Sequence, residues 1–513
     1  MSTGPDAGIE PERLATALAV FRELDALPVD HPDAIAVREA TGRLFKQVKE
    51  RRRRDRRDSE LAHDSAVTAA TATGAPGRID DETRGLPPTT GPPTTGPITT
   101  GPPTTGPITT RPITTGPITT GTIATGTTTA LAGTLRKARA CYTCKQRYVE
   151  VDAFYHQLCP PCAALNRSRR DARTDLTGRR ALLTGGRAKI GMHIALRLLR
   201  DGADTTITTR FPADAVRRFA SMPDSGDWLH RLQIVGIDLR DPAQVVSLAD
   251  AVADRGPLDI LINNAAQTVR RSPGAYGQLV AAESSPLPAG PLPEVVDLGH
   301  SRDLHPPALT APDTAVPAHT LTALALTSGS ASLDRVADRS AIDAGGLVPD
   351  LDDVNSWTRR VEQVDALELL EVQLCNVTAP FVLVSRLRPS MAASTARRTY
   401  VVNVSAMEGQ FGRGYKGPGH PHTNMAKAAL NMLTRTSAQE MLETDGILMT
   451  SVDTGWITDE RPHPLKARLH EEGFSAPLDL VDGAARVYDP IVRGELGDDL
   501  HGCFLKDYAP AAW

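Results

Sequence analysis

Apolar residues follow two rhythms along this chain. From Asp175 onward, short apolar runs that stop at Gly, Asn or Asp alternate with stretches in which apolar residues return every three or four positions. The runs read as strands and the stretches as amphipathic helices. Ala181, Leu182 and Leu183 form the first run, and a helical pattern through Ile194, Leu196, Leu198 and Leu199 follows it. Residues 205–209, 234–237, 258–262, 400–404 and 447–452 give further strands, with helical stretches between them. Such alternation predicts an α/β fold with a doubly wound parallel Rossmann sheet, whose ligand lies across the carboxyl ends of the strands.

Near the amino end, Leu14, Leu18, Val20, Phe21, Leu24 and Leu27 have the spacing of one buried helix face. Ile35, Val37, Leu44, Phe45 and Val48 begin a second helix that runs into the basic run 51–57. Residues 86–129 repeat Thr-Thr-Gly-Pro units, which offer too little apolar surface to offset chain entropy and read as a disordered spacer. The chain therefore divides into a helical segment over 1–60, a Thr/Gly/Pro-rich linker over 61–134, a small module over 135–174 and the α/β domain over 175–513.

The turn after the first strand carries candidate chemistry. Thr184-Gly185-Gly186-Arg187-Ala188-Lys189-Ile190-Gly191 joins a strand to a helix through glycines, the arrangement that brings backbone N–H groups and a helix N-terminus up to a pyrophosphate. Lys189 stands where a glycine is expected. The second strand ends at Arg210, where an acidic residue would select a ribose hydroxyl and an arginine favours a 2′-phosphate, so NADP is expected ahead of NAD. The next strands end in Asp238-Leu239, Asn263-Asn264-Ala265-Ala266 and Asp453-Thr454-Gly455-Trp456-Ile457-Thr458.

Taken in this order, these motifs resemble the short-chain dehydrogenase/reductase family over 175–513. The resemblance implies a cofactor contact set of Gly185, Arg187, Lys189, Ile190, Gly191, Arg210, Asp238, Leu239, Asn264, Ala265, Lys427, Gly455 and Ile457, with Asp238-Leu239 at the adenine and Gly455 near the nicotinamide. It also implies hydride transfer at a carbonyl or alcohol, and a dimer or tetramer. Of the family's catalytic residues, Asn376 matches the asparagine and Lys427 the lysine. The tyrosine position holds Thr423 and the serine position Ala406, with Ser405 one residue earlier. A threonine hydroxyl cannot replace a phenol as a proton donor near neutral pH.

Two readings follow. In one, the lengthened loop between Ala406 and Thr423 supplies the proton through Tyr415 beside Lys427, or through His420 or His422. In the other, the domain binds NADP without turnover and serves as a regulator whose zinc module and basic helix hold a protein or nucleic-acid partner. A non-redox enzyme on the same scaffold is a third alternative. The long insertion at about 268–355 leaves the carboxyl end of the fourth strand, so a lid over the cleft is expected, with Arg270 and Arg271 as candidate grips for an anionic substrate.

Ahead of the sheet, Cys141-x2-Cys144 and Cys159-x2-Cys162 are separated by fourteen residues, close to the spacing of a four-thiolate zinc ribbon. Disulfides and a thioredoxin-like pair are the alternatives. Basic and aromatic residues crowd this module, which suits either nucleic acid or, as the favoured reading, docking on the neighbouring domain. The net charge of −4 gives no general attraction to nucleic acid or membranes. The amino end lacks an apolar signal region, and a cytoplasmic protein acting on a small-molecule substrate is expected.

Overall fold

The computed structural model describes residues 8–75, 130–298 and 343–513, apart from 348, 413 and 415. The Thr/Gly/Pro repeats, the middle of the insertion and Tyr415 lie outside the described residues.

Nine strands form one sheet. In chain order they are β3 (Arg180–Leu183), β4 (Asp204–Thr209), β5 (Leu232–Gly236), β6 (Ile260–Asn263), β7 (Glu294–Asp297), β8 (Thr399–Ser405), β9 (Ile447–Asp453), β10 (Phe504–Lys506) and β11 (Ala509–Ala511). Their spatial order is β11-β10-β9-β8-β6-β3-β4-β5-β7, parallel except for β11. Side chains alternate between the two faces. Ala181 and Leu183 enter one core with α4 (Lys189–Arg200), α5 (Pro212–Ala220) and α11 (Leu480–Glu495). Leu182 enters the other, with α6 (Pro242–Asp254), α8 (Ala366–Ala392) and α9 (Pro421–Asp445). Strands buried on both faces account for the unbroken apolar runs in the sequence. Among the described residues α8 alone is long and apolar enough to cross a membrane, but it is interrupted by a π turn at Leu374–Thr378 and packs Leu383, Val384, Leu387 and Met391 into the core.

The insertion does two things. Part of it leaves the cleft: after α7 (Gly277–Glu283), β7 pairs in parallel with β5 and extends the far edge of the sheet. The lid expectation is corrected for this part, because backbone hydrogen bonding to an open sheet edge places it. The returning residues do reach the cleft. Arg218 donates to the Ala344 carbonyl (2.9 Å) and Arg187 to that of Gly345 (2.7 Å).

In front of the sheet, β1 (Leu131–Ala140) and β2 (Arg147–Asp152) form an antiparallel hairpin, followed by α3 (Pro160–Arg170). Two helices precede them, α1 (Pro11–Leu24) and α2 (Pro32–Ala69). Helix α2 continues to Ala69, nine residues beyond the expected boundary at 60, because residues 58–69 contain no Gly or Pro and Val67 gains a buried place in the hairpin core. The linker is also shortened at its far end, where the hairpin begins at Leu131. The expected buried face of α1 is not observed among the described residues. Leu14, Leu18, Val20 and Phe21 are all more than two-fifths exposed, and none of them enters a hydrophobic core.

Candidate active site

The sheet reverses its order between β3 and β6, and a cleft of about 1050 Å³ lies along the carboxyl ends of the strands there. The glycines of the β3–α4 turn are fixed by close approach. Gly185 has φ +70°, and a Cβ on Gly191 would fall 1.9 Å from the Gly185 carbonyl oxygen. The end of β6 braces the turn: Thr184 Oγ1 accepts from the N–H groups of Asn264 and Ala265, both at 3.0 Å. Asn264 Nδ2 donates to the carbonyls of Thr184 (3.0 Å) and Gly185 (3.1 Å). With the turn's carbonyls held back, the N-terminus of α4 opens on the cleft at Ala188, Lys189, Ile190 and Gly191, a ready anion site.

Lys189 adopts φ +52°, the left-handed conformation that glycine takes at no steric cost. Its Nζ lies 3.1 Å from Asp343 of the returning insertion. Arg187 is ion-paired with Asp214 as well as bound to Gly345. Arg210, by contrast, has no carboxylate within ion-pair distance among the described residues. Its guanidinium lies over the rings of Tyr276 (4.9 Å) and Phe211 (5.7 Å) and lines the cleft. Asp238 and Leu239 also line the cleft, but the Asp238 carboxylate is gripped by Arg240 at 2.6 Å. Arg240 in turn reaches Glu371 (3.0 Å), which also binds Arg270 (3.2 Å). Arg270 is thus committed to a carboxylate, while Arg271 lines the cleft.

At the other end of the cleft, Lys427 Nζ donates to the Val404 carbonyl at 2.8 Å, and burial pulls its ammonium down to about 8. Ser405 and Thr423 line the same cleft, but their hydroxyl oxygens are themselves buried, and neither has a hydrogen-bond partner among the described residues. Asn376 sits in the π turn of α8. Its amide is taken at both ends by the backbone of Gln267, accepting at 2.7 Å and donating at 3.1 Å, so Asn376 fixes the strand end and does not line the cleft. Neither histidine lines it either. His420 stacks on Trp357 with ring centroids 3.9 Å apart, and His422 is buried 3.3 Å from Glu368. Gly455 and Ile457 do line it.

Several cleft residues were given no role at the cleft by the sequence. Glu408 and Asp453 add two carboxylates to the cleft, of which Glu408 acts on Lys427, and burial pushes the Asp453 carboxyl up to about 6. Tyr142 and Lys145 come from the cysteine module. Tyr142 Oη accepts the Trp456 N–H at 2.8 Å, so the knuckle Cys141–Cys144 forms a wall of the cleft.

The four sulfurs of Cys141, Cys144, Cys159 and Cys162 lie within 4.8 Å of one another. Cys144 Sγ is 3.6 Å from Cys159 Sγ, far beyond a disulfide bond but close to the spacing of about 3.8 Å along the edge of a thiolate tetrahedron around zinc. Four thiolates from a hairpin turn and a helix start fit a zinc ion. The module docks through charge. Arg170 pairs with Asp479 at 2.6 and 2.9 Å and with Asp482 at 3.0 Å, and Tyr155 donates to Asp482 at 2.6 Å. Arg169 and Arg173 are likewise engaged with Asp489 and Asp201, while Arg167 pairs with Asp152 inside the module.

The short chain dehydrogenase family model matches residues 179–277, from β3 to the point where the insertion departs. A protein of Acanthamoeba polyphaga mimivirus is 31% identical over 370 residues, covering 69% of this chain and 71% of its own length. The chain belongs to the short-chain dehydrogenase/reductase family. A probable oxidoreductase of Streptomyces antibioticus is 44% identical over 94 residues, which span 18% of this chain and 30% of that relative. The crystal structure of a short chain dehydrogenase from Burkholderia cenocepacia J2315 in complex with NADP is 20% identical, covers 65% of this chain and 97% of that one, and superposes with a TM-score of 0.40. In this short-chain dehydrogenase/reductase, Lys427 and Thr423 both come from α9 and line the cleft.

Proposed function

We propose that this chain is an NADP-dependent oxidoreductase that interconverts a carbonyl and an alcohol, using a proton donor other than the family's tyrosine. Arg210 carries the cofactor preference: a cation at the end of β4, with no carboxylate partner among the described residues, is set to hold a 2′-phosphate. A bound nicotinamide supplies or accepts a hydride at its C4 carbon. The residues that would position it are the α4 N-terminus toward the pyrophosphate, Gly455 and Ile457 toward the nicotinamide, and Lys427 toward its ribose, all of which line the cleft. A zinc ion held by Cys141, Cys144, Cys159 and Cys162 would keep the Tyr142 wall in place. Exposed Phe381, Met425 and Met432 on α8 and α9 support a homo-oligomer, and the protein acts in the cytoplasm on a small molecule. The test is NADPH consumption with a panel of aldehydes and ketones, alongside NADPH and NADH titrations.

The absence of a phenol at Thr423 favours one other reading, an NADP-binding regulator without turnover. NADPH binding with no hydride transfer to any carbonyl in the panel would establish it in place of the first.

A further inference from the structure

With Thr423 at the phenol position, the reaction proposed above needs another group to give and take a proton at the substrate oxygen. We propose that Asp453 is that catalytic acid and base, standing beside Ser405 at the carboxyl ends of β9 and β8. The inference rests on the oxidoreductase reading and names the residue that completes it.

Its position comes from the sheet. Asp453 is the last residue of β9 and pairs in register with Ser405, the last of β8. Both line the cleft with Lys427 and Thr423. The end of β9 therefore brings a carboxyl into the cleft beside the end of β8, with the Lys506 ammonium acting on it.

Its lack of partners is the second observation. Asp453 is 5% exposed. Buried carboxylates elsewhere in the fold are paired, as Asp238 is with Arg240 and Asp479 with Arg170. The Asp453 side chain has no hydrogen bond or ion pair among the described residues. Burying an unpaired charge is costly, and a protein keeps such a group in a cleft where it does chemistry.

The surroundings set its protonation. Burial raises the carboxyl to about 6; Asp507 and Glu408 push the same way, and Lys506 and Arg486 oppose them. Tyr142 faces it from the cysteine module. A carboxyl in this range is populated in both forms near neutral pH, as a reversible acid and base requires.

The step balances. In reduction, a hydride from the dihydronicotinamide dinucleotide adds to the carbonyl carbon while the Asp453 carboxyl gives its proton to the oxygen. The C=O π bond breaks, C–H and O–H bonds form, the substrate is reduced and the dinucleotide oxidised. The carboxylate then regains a proton from water in the cleft. Alcohol oxidation runs in reverse, with the carboxylate accepting the hydroxyl proton.

The test uses the full chain, NADPH and the panel of aldehydes and ketones. Asp453→Asn keeps the shape but cannot act as an acid, and is expected to lower kcat about 100-fold or more while NADPH affinity stays within about threefold. Asp453→Glu should restore part of kcat with a shifted acid limb in the pH profile. A second readout needs no substrate. The folded-state value lies above the ordinary one, so the wild type loses stability as pH rises through about 6. Asp453→Asn should therefore raise Tm at neutral pH, with the gain vanishing below about pH 4. Turnover by folded, NADPH-binding Asp453→Asn within about threefold of wild type overturns the proposal and leaves the oxidoreductase reading standing. If Asp453→Asn does not fold, an unshifted pH profile in Asp453→Glu overturns it. A wild type that binds NADPH but reduces nothing in the panel overturns the oxidoreductase reading, and this inference with it.

Discussion

Lys189, at the glycine position of the nucleotide turn, holds its ammonium 3.1 Å from the carboxylate of Asp343 at the far end of the insertion. The left-handed backbone at Lys189 costs about 1 kcal/mol relative to glycine, and a partly exposed ion pair returns up to about 1 kcal/mol. Lys189→Gly should therefore change stability by no more than about 1 kcal/mol. Amide exchange in residues 343–347 should rise, which hydrogen–deuterium exchange read by mass spectrometry will show. Exchange equal to wild type in that segment would mean that the pair does not fasten the insertion.

Purified protein is expected to carry about one zinc per chain, lost in Cys159→Ser. Because Tyr142 holds the Trp456 N–H, Tyr142→Phe should keep the zinc and weaken NADPH binding by roughly fivefold, the worth of about 1 kcal/mol for one hydrogen bond. Elemental analysis and calorimetry separate the two effects. A metal-free wild type with a fully folded module would refute the zinc assignment.

Arg210→Ala should weaken NADPH by roughly 10- to 100-fold, as expected for loss of a charge-assisted contact worth about 1.5–3 kcal/mol, and leave NADH nearly unchanged. Parallel titrations decide it. Equal NADPH and NADH affinities in the wild type would remove the 2′-phosphate role.

The buried Lys427 ammonium has a direct signature in stability. Its folded-state value is lowered to about 8 against an ordinary 10.5, so the unfolded chain holds the extra proton between those values and stability rises with pH across that window. Relative to Lys427→Met, the wild type carries a penalty of roughly 3 kcal/mol below pH 8 that fades by about pH 10.5. Urea unfolding of both proteins at a series of pH values measures it; a constant difference across the window contradicts the burial of the charge.

The strands, the glycine turn and the spacing of the four cysteines were legible because each rests on a local pattern, period, turn chemistry or ligand interval, while Lys427, expected from the family resemblance, and Arg210 both line the cleft. What escaped depends on residues far apart in the chain. Asp453 was legible only as the strand-end residue ahead of Gly455, and its burial without an ion-paired partner among the described residues becomes visible only in the fold, where β9 lies beside β8. The Tyr142 contact requires the module to fold back on the Gly455 loop. Strand β7 was invisible because its partner β5 is an otherwise open edge, and four residues in a Pro-rich stretch carry little periodicity. His420 and His422 looked available from composition, yet packing against Trp357 and Glu368 turns both away from the cleft.

The buried charge between the cysteine module and α11 bears on how such a protein accretes parts. Asp482 is fully enclosed, and its partners are Arg170 and Tyr155 of the module. Cutting the chain at 175, the conventional start of its family, would strand that carboxylate and Asp479 at a cost of about 3–5 kcal/mol for breaking a buried pair. It would also bare Ile457, Leu478 and Leu480. The module therefore works as a ratchet: once these carboxylates had taken an arginine from it, the dehydrogenase half could no longer shed it without first replacing its own buried acids.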